Sequence, residues 1–184
     1  MRVALTGTPG TGKTSVAALL EKEGFTIVSL HTLAQENNCI CGTDKRRDSQ
    51  LVDIEKLDTY IQKNFKTDEM VFFEGHIGHL LSSMEKVIIL RCHPKKLKKR
   101  LLRKKWSAQK VMENIDAETL DVILCEVVEN HPINNIFEID TTNRTIKEVA
   151  LSVSEIVNTN FEPTEPYTIG RIDWSEEIVK EKGR

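Results

Sequence analysis

Residues 7–14, Gly7-Thr8-Pro9-Gly10-Thr11-Gly12-Lys13-Thr14, fit G-x-x-x-x-G-K-[ST] at every fixed position. This spacing suits phosphate chemistry. Glycines let a backbone turn tightly and approach a ligand that a Cβ would hold off. The amides from Gly10 to Ser15 can then converge on phosphate oxygens at a helix N-terminus. Lys13 is placed to reach the β- and γ-phosphates, and the Thr14 hydroxyl to ligate Mg²⁺. Gly10, Gly12, Lys13, Thr14 and Ser15 are therefore the candidate ATP-binding residues. A chance match in a chain of 184 residues is expected about once in a hundred sequences or less.

Two further groups extend the site. Glu74 closes the apolar run Met70-Val71-Phe72-Phe73, which puts a carboxylate at a strand end, where it can orient Mg²⁺ through water. Thr14 and Glu74 are the candidate metal residues. His76 follows two positions on and could orient a water molecule, whereas His79 reads as a packing residue. The run Arg91 to Lys105 holds nine Lys or Arg in fifteen residues and no acid. Leu97, Leu101 and Leu102 recur on one face of it, as in an amphipathic helix. Arg103, Lys104, Lys105 and Lys110 flank Trp106-Ser107, where the helix should break into a lid closing over triphosphate charge. The same cations, Lys95 through Lys105, also suit an RNA backbone. The residues leave both uses open.

The elements that must position these groups follow from apolar patterning. Val3–Leu5, Phe25–Leu30, Met70–Phe73, Val87–Leu90 and Ile136–Ile139 read as strands. Helices are expected at 13–23, 33–37, after an Asp53 N-cap, from Pro94, over 108–130 and over 146–157. Alternating strands and helices predict an α/β, three-layer, Rossmann-like P-loop fold with a five-stranded parallel sheet. The polar stretch 37–50, with Gly42 and Asp44-Lys45-Arg46-Arg47-Asp48, reads as a mobile surface insert. Residues 1–158 form the expected nucleotide-binding domain. Residues 159–184 form a tail with Pro163, Pro166, Tyr167, Ile169, Ile172 and Trp174, expected to strap the domain and to meet a partner.

Composition narrows the class. A net charge of −2 excludes a globally basic nucleic-acid binder, and 39% hydrophobic residues suffice for a core. No apolar run approaches a membrane span, and residues 1–7 lack a signal-peptide pattern. A cytoplasmic protein is expected, with Cys39, Cys41, Cys92 and Cys125 as free thiols, since their spacing matches no common zinc pattern.

The order of phosphate loop, insert, strand-end carboxylate and short basic lid resembles the small nucleoside monophosphate kinases. Thr6 to Thr14, Glu74-Gly75-His76, Arg103-x-x-Trp106 with Lys110 and Asn114, and the tail segment Ile172 to Glu177 resemble the adenylate kinase 6 family in its archaeal form. The resemblance spans essentially the whole chain. It implies reversible phosphoryl transfer from ATP to AMP or another nucleoside monophosphate. It also implies ATP hydrolysis tied to maturation of small-subunit rRNA, with transient contact to a small-subunit ribosomal protein. It places the monophosphate-binding region at about 30–50 and the lid at about 102–112, with Arg103 contacting ATP. Lys13, Glu74, His76 and Arg103 are the catalytic candidates. Alternatives are an assembly ATPase with negligible kinase turnover and another small metabolite kinase. Three positions depart from the family pattern: Glu74 replaces aspartate, Trp106 replaces tyrosine, and Gln35 stands where many members carry arginine or lysine.

Overall fold

Runs of β-branched and aromatic residues become parallel strands in the computed structural model, which describes residues 1–44, 49–66 and 68–177. The first strand, β1 (Arg2–Thr6), runs into the glycine loop and then α1 (Lys13–Lys22). The chain continues through β2 (Thr26–Ser29), α2 (Leu30–Glu36), β3 (Ile40–Asp44), β4 (Ser49–Val52) and α3 (Ile54–Asn64). Next come β5 (Val71–Glu74), β6 (Lys86–Arg91), α4 (Pro94–Leu102), α5 (Ala108–Thr119), α6 (Val122–Asn130), β7 (Ile136–Asp140) and α7 (Ile146–Asn158).

The five-stranded sheet has the order β2-β5-β1-β6-β7. Every pairing in it is parallel, with Leu5 registered against both Glu74 and Ile88. All strand ends that could bear chemistry therefore emerge on one edge, with the glycine loop at its centre. Helices cover both faces. Val3, Leu5, Phe72, Ile88 and Leu90 pack on Val16 and Leu20 of α1 and on Val149, Val153 and Ile156 of α7. Ala4, Phe73, Val87 and Ile89 pack on Leu30, Leu33, Leu57, Ile61 and Val127 on the other side. Successive residues of β1 thus point to opposite layers, as strand geometry requires. The fold class is the expected one.

Local signals act where expected. Asp53 accepts from the Lys56 amide at the start of α3. Pro94 opens α4, and Thr145 with Glu148 forms a capping box on α7.

The structure corrects two expectations. The stretch read as a mobile insert contains an antiparallel hairpin, with Gly42 opposite Leu51 and Asp44 opposite Ser49. Each arm is too short to announce itself, and the ladder between them, with Ile40 and Val52 packed on the core, supplies the order. Lys45, Arg46, Arg47 and Asp48 lie outside the described residues. The helix expected over 108–130 is two helices. Asp121 adopts a left-handed conformation, φ 54°, and ends the first helix as its carboxylate turns to Arg91. Residues 159–177 of the tail strap the domain, with Phe161 and Tyr167 buried in the α1–α7 layer, and residues 178–184 lie outside the described residues. Among the described residues no helix is long and apolar enough to cross a membrane.

Candidate active site

The loop after β1 owes its shape to glycine. Gly7 has φ 132°, and a Cβ there would stand 2.3 Å from the Leu90 carbonyl oxygen. Gly12, at φ 111°, starts α1 in a left-handed conformation. Within this loop the N–H groups of Gly10, Gly12, Lys13 and Thr14 donate to no acceptor among the described residues. Donors left over at a helix N-terminus are what a phosphate group satisfies. The amide of Ser15 differs from the sequence expectation: it donates to Gly12 O at 3.0 Å, and its side chain is exposed.

Lys13 lies folded across the loop, with its ammonium donating to Gly7 O at 2.7 Å and Thr8 O at 3.2 Å. It is 6% exposed. Burial lowers its pKa to about 8, against the opposing pull of Glu74 and Glu118, while Lys104 adds to the lowering.

Thr14 and Glu74 meet. The Thr14 hydroxyl donates to Glu74 Oε1 at 3.1 Å on the open side of the loop. Two oxygen donors beside unsatisfied phosphate-binding amides suit Mg²⁺, which keeps several waters and takes further ligands from phosphates. Among the described residues no cluster of three or more His, Cys, Asp or Glu could hold a metal. Thr14 and Glu74 by themselves offer two oxygen ligands, the number Mg²⁺ takes from protein when phosphates and water supply the rest.

His76 is exposed, two residues past Glu74. The surrounding protein, followed by the charges of Lys13 and nearby His79, His31 and Lys110, lowers its pKa to about 4. It is neutral near pH 7 and can accept a hydrogen bond. His79 is buried in a short 3₁₀ turn and bridges Thr6 Oγ1, at 3.2 Å, and Glu126 Oε2, at 2.8 Å. It holds the end of β1 from behind.

Arg103 is exposed at the C-terminal cap of α4. Beyond it Lys104 and Lys110 flank the Trp106 ring at 5.1 and 4.9 Å from its centroid. Both cations lie close enough to act on Lys13 or His76. The other lid face is anchored, as Leu97 and Leu101 pack on Val111 and Ile115.

Sequence reasoning missed the groups that brace the loop from below. Arg100 donates to Thr11 O at 3.3 Å and to Thr141 O at 2.6 Å, tying the loop to the end of β7. Arg91, at the end of β6, is buried and paired with Glu118, Glu138 and Asp121. A charged residue ending an apolar strand was a signal for Arg91, parallel to Glu74. Nothing local marked Glu118.

A glycine loop at the central strand of a five-stranded parallel sheet, followed by a lysine-threonine helix start, defines a P-loop kinase fold. Solved structures agree at the level of fold: thymidylate kinase from Candida albicans superposes with a TM-score of 0.57 at 14% identity, covering 91% of this chain and 96% of that one. Shikimate kinase from Acinetobacter baumannii gives 0.56 at 17% identity, covering 86% and 93%. Residues 3–121 match the AAA domain family model. A protein of Archaeoglobus fulgidus named "Putative adenylate kinase" is 39% identical over 178 residues, which is 97% of this chain and 94% of that protein. The chain belongs to this archaeal adenylate kinase family of P-loop proteins.

Proposed function

We propose that the protein transfers the γ-phosphoryl group of ATP to AMP or a similar nucleoside monophosphate, and that it also hydrolyses ATP. The observation that carries this reading is the Thr14–Glu74 pair at 3.1 Å beside a buried Lys13 and four unsatisfied loop amides. Phosphoryl transfer asks mainly for positioning and charge neutralisation. Loop amides and Lys13 would hold the β- and γ-phosphates. Thr14 and Glu74 would hold Mg²⁺, which when bound neutralises charge on the phosphate oxygens. Arg103, Lys104 and Lys110 would close from the lid. The acceptor phosphate oxygen, aligned by the segment 30–50, would attack the γ-phosphorus in line as the bond from that phosphorus to the β,γ-bridging oxygen breaks and ADP leaves with the electron pair.

On the acceptor side the described residues include no cation at position 35, where the sequence has glutamine. Gln35 donates to Gln50 Oε1 at 3.2 Å, so two neutral amides face each other there. The deciding assay measures ADP formed from ATP with and without AMP. AMP-dependent formation of two ADP supports the kinase, and AMP-independent ADP with phosphate supports the assembly ATPase. One feature favours the second reading as an added role: exposed Lys96, Lys98, Lys99 and Lys105 on and beyond α4 form a cationic face suited to rRNA. A small-subunit ribosomal protein is the partner proposed for the tail side.

Two expected outcomes test the roles. Phosphate favours the charged form of Lys13, whose pKa in the empty site is about 8. ATP affinity should therefore fall about tenfold per pH unit above 8, with proton uptake on binding. Calorimetry from pH 7 to 9.5 reads both, and a flat dissociation constant contradicts the assignment. Stability of the empty protein moves the other way. Its unfolded state binds more protons between the lowered pKa and the ordinary one, so this group adds stability as pH rises through that window.

Hydrolysis needs a positioned water, whereas transfer brings its own nucleophile. His76→Ala should lower ATP hydrolysis about tenfold to a hundredfold while lowering AMP phosphorylation less. Equal losses in both assays would assign His76 to loop structure instead.

A further inference from the structure

Thr8 occupies one of the unrestricted positions of the glycine motif, yet it is 1% exposed and its hydroxyl donates to Glu118 Oε2 at 2.5 Å. Its carbonyl oxygen is a junction of the loop. It accepts from the Thr11 amide at 3.2 Å, the Thr11 hydroxyl at 2.9 Å and the Lys13 ammonium at 3.2 Å. Whatever holds Thr8 therefore holds the lysine and the turn that must meet phosphate.

Glu118 is 2% exposed, and its second oxygen is as fully used as its first. Oε1 accepts from Arg91 Nε at 2.9 Å, from the Cys92 amide at 2.9 Å and from the indole N–H of Trp174 at 3.3 Å. Trp174 belongs to the strap, 56 residues further along the chain than Glu118. Its ring packs on His93 at 4.9 Å, just before α4, and Glu177 behind it pairs with Lys95 at 2.8 Å. A second strap contact enters the same buried network, since the Gly170 amide donates to Glu138 Oε2 at 2.8 Å while Glu138 Oε1 takes Arg91 Nη1 at 2.6 Å.

We propose that Glu118 is a positioning residue for the phosphate-binding loop, and that the C-terminal strap, through Trp174, sets its hold on Thr8, so that strap docking and ATP binding are coupled. The physical reason is the surroundings of one carboxylate. Donors on Oε1 fix its plane and keep water away, which keeps the charge-assisted bond from Thr8 strong. With the indole gone, water reaches Oε1, the carboxylate gains freedom, and the loop loses order before phosphate arrives. Coupling of this kind is reciprocal: if the docked strap favours ATP, ATP must favour the docked strap by the same factor.

The inference rests on ATP binding at the loop and is tested by equilibrium ATP binding to the full chain. Trp174→Phe keeps a ring against His93 and removes only the N–H. Thr8→Val removes the hydroxyl at nearly constant shape, and Thr8→Ser restores it. Trp174→Phe should weaken ATP binding about threefold and Thr8→Val about tenfold or more, with Thr8→Ser close to the parent protein. Adding Trp174→Phe to Thr8→Val should cause no further loss, because both act through one carboxylate. Independent, multiplying losses overturn the coupling, as does parental affinity in both single variants. A second measurement stands apart from the folding of Thr8→Val. With Trp106→Phe leaving Trp174 as the only tryptophan, ATP should reduce acrylamide quenching of its emission, and quenching unchanged by ATP overturns the proposal. A parent protein that binds no ATP overturns the nucleotide reading as well, whereas a binding parent with unaltered variants overturns this inference alone.

Discussion

Lys13→Ala should lower ADP formation from ATP by about two orders of magnitude or more, both with and without AMP. The lysine is held in place before any ligand arrives, by Gly7 O at 2.7 Å and Thr8 O at 3.2 Å. Its ammonium is buried, so charge on a phosphoryl oxygen would meet it with little water between. Alanine removes both the cation and the group that joins the start of the loop to the start of α1. The amides of Gly10, Gly12 and Thr14 remain, so ATP should still bind, more weakly. Turnover is expected to suffer more than affinity, because charge on the transferring group grows toward the transition state. Kinetics with and without AMP, alongside direct ATP binding, measure the two effects separately. Near-normal turnover in this variant would remove the loop from the chemistry.

The largest loss of stability is expected at Arg91. Its guanidinium is buried and satisfied by three carboxylates, from Glu118, Glu138 and Asp121, with Glu118 and Glu138 themselves almost fully buried. Arg91→Met fills the volume but leaves those acids facing one another without a cation. Breaking a buried pair in this way costs about 3–5 kcal/mol. Whole domains of this kind are stable by about 5–15 kcal/mol, so the melting temperature should drop by roughly 10 °C or more. Thermal unfolding followed by circular dichroism reads this directly. Adding Glu118→Gln and Glu138→Gln should recover much of the loss by removing the orphaned charges. No recovery would mean that packing of the arginine stem, rather than charge, holds the site.

Much of the site was legible in the sequence because its chemistry demands particular residues at short spacing. A phosphate-binding turn requires Gly7 and Gly12 where the backbone takes positive φ, then a lysine and a hydroxyl in the next helical turn. These constraints are local, so the residues announce themselves. The same holds for Asp53 and Pro94 at helix starts, and for strands whose apolar runs are buried on both faces. Glu74 was legible because a charge ends an apolar run.

Contacts between distant segments were decided only by the tertiary structure. Strands β3 and β4 exist because two short, unremarkable segments find each other. Asp121 breaks a helix that periodicity extends, because its carboxylate is drawn to Arg91, 30 residues away. Glu118 looks like any helical glutamate until the fold brings Thr8, Arg91 and Trp174 to its two oxygens, across separations of 110, 27 and 56 residues. The sequence alone thus determined a phosphate-binding loop on a parallel α/β sheet, since glycine conformation and apolar periodicity act within a few residues. How that loop is braced, and that the strap reaches its brace, depended on burial. Only a closed core brings these charges together and excludes the water that would otherwise satisfy each of them separately.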